Sequence, residues 1–150
     1  MYKAIAVLGL LLLVACNVGH AQEAARSTVF DNAHPKNPIE ALQLSGTIGH
    51  FSIKSASVAL QLSRDISKER ADLHAAIQHL DDSVAPAVRY ARGRADLVKA
   101  IKDYYTAAST YLANGIPLDR FQKISADRLE SDYRAKEKAL ELEIKLAGIK

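Results

Sequence analysis

Residues 37–63, NPIEALQLSGTIGHFSIKSASVALQLS, carry the pattern that decides the fold. Asn37 followed by Pro38 is a typical helix start, because an asparagine side chain caps the first backbone N–H groups and proline fits the first helical position. Small side chains then recur at alternating steps of four and three residues, which places them on one face of a helix. These small residues are Ser45, Gly49, Ser52, Ala56, Ala59 and Ser63.

The small-residue face has three structural interpretations. Side chains without bulk let a second helix approach closely, inside the protein or on a partner, a device best documented for helices in membranes. Gly46 and Gly49 instead favour a break into a short and a longer helix, since a glycine costs about 1 kcal/mol inside a helix. The alternation of apolar and polar residues over 51–60 is compatible with an edge strand, the least favoured of the three. The candidate partner surface on this face is Ser45, Gly49, Ser52 and Ala56.

Larger apolar residues recur at helical spacing beside the small ones and through the rest of the chain. The line beside the small residues comprises Leu44, Ile48, Phe51, Val58, Leu62 and Ile66. The same period predicts long helices over about 55–80, 84–113 and 117–147. Pro86 falls in the first turn of the second of these, although one long helix kinked at this proline is an alternative.

The predicted fold class is all-α: an antiparallel bundle of three long helices, with a possible short or glycine-broken N-terminal helix. We assign residues 38–150 to this helical bundle domain. Residues 16–37 are polar and contain Gly19 and Pro35, which predicts a flexible tether. A coil of this length has a root-mean-square span of about 25 Å.

Tyrosines form a second line at helical spacing further along the chain. Tyr90, Tyr104 and Tyr111 fall on it, and they alternate with aliphatic residues. Tyrosine is favoured where an apolar surface meets water and at interaction sites. The edge of the core is the favoured interpretation of this line, and a partner surface is the alternative.

The first sixteen residues predict export. Lys3 supplies one positive charge, and residues 4–15 are apolar but too short for the hydrocarbon core of about 30 Å, which is typical of a signal peptide over 1–15. The last three residues of this apolar segment together with the next residue, Leu13-Val14-Ala15-Cys16, resemble the lipobox of bacterial lipoproteins. The resemblance implies lipidation of Cys16 and a membrane anchor there, and Asn17 after it implies the periplasmic face of the outer membrane. No family is recognised for the mature domain.

A second cleavage site competes with the lipobox. Gly19 and Ala21 are small residues at the −3 and −1 positions of a site before Gln22. Cleavage after Ala21 would release a protein that is soluble in the periplasm or secreted. The only cysteine of the chain stands at the position that a lipobox requires, which favours the lipoprotein.

Composition and motifs argue against several function classes. The net charge of +3 is spread over interspersed signs, which argues against a nucleic-acid interface. His74 and His79 are five residues apart, so a helix places them about 140° apart and they do not form a metal pair. A di-iron motif and a nucleophile elbow are absent, and we predict no catalytic residue, no metal site and no cofactor.

The densest basic cluster of the sequence comprises Arg89, Arg92, Arg94, Lys99 and Lys102. We interpret it as a helix face whose charge is balanced by Asp96 and Asp103. The alternative is a surface that contacts the phosphates of anionic lipid or lipopolysaccharide.

These observations lead to a functional hypothesis. We expect a non-catalytic envelope lipoprotein, held at the membrane by Cys16, that acts as a protein-interaction or structural module. Its partner is an unknown envelope protein or a second copy of the chain. The alternative is a soluble periplasmic helical bundle that binds a small ligand or haem between its helices.

Overall fold

The described part of the structure covers most of the predicted bundle domain. The computed structural model covers residues 34–117 and 120–149, with the side chains of Arg120 and Phe121 outside the description. The predicted signal peptide, the lipobox and most of the predicted tether therefore lie outside the described residues. Residues 35 onward form one compact unit.

Four helices make up this unit. They are α1 (Pro38–Gln61), α2 (Ser67–Tyr90), α3 (Ala95–Asn114) and α4 (Arg120–Leu146). The all-α prediction is confirmed, and the strand alternative for 51–60 is wrong, since these residues lie inside α1. The predicted count of three long helices is also wrong, because the N-terminal segment is itself a full helix of 24 residues.

Helix α1 begins where the capping signal predicts and continues past both glycines. The Asn37 side-chain oxygen accepts hydrogen bonds from the backbone N–H groups of Ile39 at 3.0 Å and Glu40 at 2.9 Å. These bonds satisfy donors that have no partner within the helix. Gly46 and Gly49 are buried within the continuous helix, so the interpretation of a glycine-broken helix is wrong.

The turn between α1 and α2 divides the segment predicted as one helix over 55–80. Ser63 adopts a left-handed conformation with φ of 52°, which lets the Arg64 N–H donate to the Ala59 carbonyl at 2.8 Å. Asp65 then accepts hydrogen bonds from the backbone N–H and the hydroxyl of Ser67. Neither glycine nor proline marks this turn, so the usual sequence signals for a helix end are missing.

The boundary between α2 and α3 also differs from the prediction. Helix α2 runs through Pro86 to Tyr90, and the chain turns over 91–94, where Gly93 has φ of +89°. Pro86 has no N–H to donate to the Asp82 carbonyl, and α2 continues through it at a point where Asp82 is exposed. The predicted break at 81–83 and the alternative of one unbroken helix are both wrong.

Consecutive helices run in opposite directions in this bundle-like fold. Ser55 on α1 contacts Glu69 on α2, and Asp81 on α2 accepts a hydrogen bond from Tyr105 on α3. Helices α1 and α3 run parallel: Gln43 contacts Tyr104 and His50 contacts Tyr111, both at a separation of 61 residues.

These directions give the unit two ends. Residues 35–40, 91–96 and 144–149 form the proximal end, and residues 60–67 and 112–117 form the distal end. Among the described residues, no helix combines the length and apolar character that crossing a bilayer requires.

Candidate functional site

The structure buries six of the seven residues predicted as partner surfaces. On α1, the residues Ser45, Gly49, Ser52 and Ala56 all face the interior. On α3, Tyr104 and Tyr111 are almost fully buried. Only Tyr90, at the end of α2, is exposed. Both predicted surfaces are therefore largely internal, and Gly49 on α1 lies against Leu112 on α3, while Ala56 packs with Ala59 and Ile66.

Two glycines set how closely the neighbouring helices approach α1. A Cβ atom at Gly46 would lie 2.1 Å from the Tyr104 hydroxyl oxygen and 3.3 Å from that of Tyr133. At Gly49, a Cβ would lie 2.6 Å from the Leu112 methyl carbons. No side chain larger than hydrogen fits at either position unless the Tyr104 or Leu112 side chain shifts.

Four aromatic side chains converge against this face and form the His–Tyr cluster: His50, Tyr104, Tyr111 and Tyr133. The rings of Tyr111 and Tyr133 stack at 5.2 Å between centroids, and His50 stacks on Tyr133 at 6.1 Å. Tyr104 is tilted against Tyr133 at 5.8 Å. Helices α1, α3 and α4 each contribute to the cluster, which therefore joins three helices.

The three hydroxyl groups of the His–Tyr cluster and the Nδ1 atom of His50 are hydrogen-bonded. A hydrogen bond of 2.9 Å joins His50 Nδ1 and the Tyr111 hydroxyl. The Tyr104 hydroxyl donates to the Gln43 carbonyl at 3.3 Å, and the Tyr133 hydroxyl donates to Glu137 Oε1 at 3.1 Å. In the described part of the chain, no buried side-chain nitrogen or oxygen lacks a partner. Such satisfaction matters because an unpaired buried polar group costs about 1–3 kcal/mol.

Burial keeps the His–Tyr cluster uncharged. It raises the pKa of Tyr133 to about 12 and shifts the pKa values of Tyr104 and Tyr111 upward as well. Burial, followed by the nearby Arg134 guanidinium, lowers the pKa of His50. At neutral pH the cluster thus contains neutral, mutually hydrogen-bonded groups, which suit it to fix the packing of three helices.

The remaining histidines and the basic cluster lie elsewhere. His74 and His79 occupy exposed positions on α2, far along the chain from the buried His50. Among the described residues, no group of three or more histidine, cysteine or acidic side chains is placed to hold a metal ion. In the predicted basic cluster, Asp103 pairs with Lys99 at 2.7 Å instead of balancing the arginines.

The core line predicted for the last helix is buried only in part. Tyr133 and Leu140 are buried, and Leu129 and Ile144 are partly buried against the core. Ile124, which was predicted as a core residue, is exposed on α4. The predicted core position Phe121 has no described side chain.

An exposed apolar ridge on α1 is the feature that sequence reasoning missed. Phe51, Val58 and Leu62 are 65%, 56% and 57% exposed, and their spacing of seven and four places them on one helix face. A cleft of about 680 Å³ lies on one side of this ridge, and a second cleft of about 580 Å³ lies on the other. Val58 lines both clefts. The sequence showed these three residues as part of the apolar line beside the small residues, but it did not show that they point toward solvent.

Comparisons with protein families, curated proteins and solved structures found no significant match. The function of the protein is therefore inferred from the residues and geometry of this chain.

The close contact at Gly46 predicts a loss of stability for Gly46→Ala. Helix propensity alone would make the variant about 1 kcal/mol more stable, whereas the clash with the Tyr104 hydroxyl should lower the free energy of unfolding by about 1–3 kcal/mol. In a Tyr104→Phe background the same substitution should cost less, because the clashing oxygen is gone. Urea denaturation of the four proteins in this cycle measures the difference. A stabilised Gly46→Ala protein would contradict the contact.

The lowered pKa of His50 predicts an acid-sensitive fold. Below about pH 6.5 the unfolded chain binds a proton that the folded protein resists, so stability should fall as the pH drops until it reaches the folded-state pKa. Between these two pKa values the limiting slope is about 1.4 kcal/mol per pH unit.

Urea denaturation at pH 7.5 and pH 5.5 tests this prediction. His50→Asn, which keeps a polar group near the Tyr111 hydroxyl, should flatten the pH dependence. His74→Asn, at an exposed position of α2, is the matched control and should retain it. Equal slopes for His50→Asn and the unmodified protein would show that His50 is not the responsible group.

Proposed function

We propose that this protein is a non-catalytic envelope lipoprotein whose helical bundle acts as a protein-interaction module. In this proposal the lipid on Cys16 holds the chain at the periplasmic face of the outer membrane. The lipobox sequence and the single cysteine support the anchor. The exposed ridge on α1 supports the interaction.

The ridge is notable because α1 buries its small residues together with Ile39, Leu42 and Ile53, yet leaves three other large apolar residues exposed. Isolated apolar side chains on a surface are common, but Phe51, Val58 and Leu62 lie on one helix face and line the same cleft. Full burial of such side chains is worth roughly 1.5–3 kcal/mol each. A partner that covers the ridge would gain this free energy, which folding of the chain leaves unused.

Polar groups surround the ridge as they do in protein interfaces. Lys54 lies beside it and pairs with Glu130 on α4 at 2.5 Å. Arg64, Asp65 and Glu69 line the second cleft together with the ridge residues. An apolar centre with a polar rim of both signs is typical of protein–protein interfaces. An amphipathic helix that docks along α1 would match this shape, with side chains filling the clefts on either side.

The interior supports a non-catalytic role. Within the described residues, the His–Tyr cluster brings several polar side chains together. These groups are neutral and buried, and they are already hydrogen-bonded to one another or to neighbouring groups. A general acid or base needs to reach a substrate proton. His50 instead uses Nδ1 to hold Tyr111, and its side chain is almost fully buried.

A small-ligand function is the second candidate, and the cleft of about 680 Å³ favours it. Its volume falls within the usual range for small-molecule sites. Apolar Ile53 and Tyr111 line it together with the charged Lys54 and Asp127. This candidate corresponds to the soluble binding protein of the alternative hypothesis. Haem has no comparable support, since the buried His50 is engaged with Tyr111.

Metabolic labelling with radioactive palmitate tests the anchor. We expect the chain expressed in a Gram-negative host to incorporate label, and Cys16→Ser to abolish incorporation. Ser109→Cys in the Cys16→Ser background is the matched control, because it restores one cysteine outside the lipobox and should remain unlabelled. Absence of label in the unmodified chain would refute the lipoprotein and favour cleavage after Ala21.

Site-specific photo-crosslinking in the native envelope tests the ridge. A photoreactive residue at Phe51 should give an adduct of defined mass, and Val58→Asp with Leu62→Asp should abolish it because charge cannot be buried in an apolar interface. The control pair is Leu142→Asp with Leu146→Asp, two exposed apolar positions on α4. These control substitutions should leave the adduct unchanged, and circular dichroism should show that both variants keep their helicity.

The mass of the adduct distinguishes the candidates. A mass equal to two chains identifies self-association, and another defined mass identifies a protein partner. If no adduct forms, or if it survives the substitutions at Val58 and Leu62, the ridge is not an interface. A ligand retained in native mass spectrometry would then support the small-ligand candidate.

A further inference from the structure

The turn between α2 and α3 exposes three arginines within six residues. Arg89, Arg92 and Arg94 are exposed on either side of Gly93. Gly93 has a left-handed backbone, and a Cβ placed on it would have no atom within 4 Å, so the tip of the turn projects into open space. Tyr90, which is 47% exposed, lies between the first two arginines.

These arginines differ from the paired basic residues of the described chain. Lys54, Lys68 and Lys99 each form an ion pair of 2.7 Å or less. Within the described residues, no ion pair involves Arg89, Arg92 or Arg94. Asp103, which the sequence offered as a balancing charge, contacts Lys99 and lies 3.9 Å from Lys136. Asp96, the other predicted balancing charge, follows Arg94 by two residues, and no ion pair of the described residues joins it to the arginines. Three arginines against one aspartate leave the turn with net positive charge.

Folding accounts for one of these arginines but not for Arg94. Arg89 lies in the last turn of α2, where a cation interacts favourably with the helix dipole. Arg94 is the N-cap of α3, where it provides no capping hydrogen bond and places a positive charge at the positive end of the dipole. A serine or aspartate would cap α3 better by about 1 kcal/mol. An unfavourable residue at this position points to a role outside folding.

The turn lies at the end where the upstream chain joins the bundle. Helices α1 and α3 run parallel with an offset of 61 residues. Ala95, the first residue of α3, therefore lies at the same end of the compact unit as Pro38, the first residue of α1. Cys16, the proposed lipid anchor, precedes His34 by only 18 residues. The arginines thus share an end of the bundle with the covalent connection to the anchor.

We propose that the α2–α3 turn binds the phosphate groups of anionic lipids in the membrane to which the protein is anchored. This inference rests on the proposed lipid anchor. Guanidinium groups bind phosphate oxygens through paired hydrogen bonds, and tyrosine is favoured at the level of lipid headgroups. The weak contact becomes effective because the anchor keeps the turn close to the surface. Lipid binding by the turn orients the bundle with its proximal end toward the membrane and the α1 ridge directed away from the membrane.

Vesicle co-sedimentation of the non-lipidated mature chain, residues 16–150 with Cys16→Ser, tests the turn without the anchor. This chain contains the whole compact unit of residues 35 onward. We expect binding to phosphatidylcholine vesicles that contain phosphatidylglycerol and no binding to phosphatidylcholine alone. Each Arg→Ala substitution at the turn should weaken binding about fivefold, the effect of one basic residue near an anionic surface. Sodium chloride at about 0.5 M should abolish binding, because it screens charges beyond about 4 Å.

Two sets of variants separate a specific turn from net charge. The triple variant of Arg89, Arg92 and Arg94 to alanine should lose binding, whereas the same residues changed to lysine should retain most of it. The matched control replaces Arg64, Arg70 and Arg128 with alanine, which removes equal charge from exposed positions away from the proximal end. If the control loses as much binding as the turn variant, net charge explains the result and the proposal fails.

Arg94→Ser should change thermal stability and vesicle binding in opposite directions. A better N-cap should raise the melting temperature while vesicle binding falls about fivefold, so a purely structural role of Arg94 is excluded by that pair of results. Unchanged binding by this variant would contradict the assignment of Arg94. Inorganic phosphate at the concentration of the lipid phosphate should not displace the protein; displacement would indicate a free-phosphate site and overturn the proposal.

Palmitate labelling reports separately on the anchor. The vesicle experiment uses a chain without lipid, so a negative labelling result with positive vesicle binding would refute the anchor and leave the lipid-binding turn intact. A positive labelling result with no vesicle binding would refute the turn and leave the lipoprotein intact.

Discussion

The contact between Gly46 on α1 and the hydroxyl groups of Tyr104 and Tyr133 constrains the rest of the structure. It is possible only where a helix lacks a Cβ atom, since any Cβ there would overlap the Tyr104 oxygen. The contact lets two bulky aromatic residues from α3 and α4 meet over one face of α1. The Tyr133 ring then packs against Tyr104, His50 and Tyr111, and the three hydroxyl groups and His50 Nδ1 are hydrogen-bonded. The packing of three helices depends on this arrangement.

The exposed ridge follows from the same constraint. A helix that turns its small face toward bulky neighbours must turn an adjacent face toward solvent, and on α1 that face carries Phe51, Val58 and Leu62. In an ordinary amphipathic helix the large apolar residues would be buried and the small ones left outside. On α1 the large apolar residues divide between the two environments: Ile39, Leu42 and Ile53 are buried, whereas the ridge residues stay exposed and available for contacts with another molecule.

The direction of each helix gives the molecule chemically different ends. The proximal end receives the upstream chain and carries the unpaired arginines of the α2–α3 turn, whereas both clefts extend toward the distal end. In our proposals the proximal end faces a membrane and the ridge faces a partner. This division of roles needs no moving part, because it follows from the parallel register of α1 and α3 and from the point at which the chain enters the bundle.

The amino-acid sequence by itself determined the helical class, the capped start of α1 at Asn37 and the small-residue face, because these depend on neighbours within a few residues. It did not reveal the turn at Ser63 or the passage of α2 through Pro86, since those positions lack or contradict the usual local signals. Only the tertiary structure decided that α1 receives the tyrosines of α3 and α4 at Gly46 and that Phe51, Val58 and Leu62 stay exposed. Two adjacent faces of a helix are nearly equivalent in a sequence pattern, and the choice between them depends on the shape of side chains more than fifty residues away.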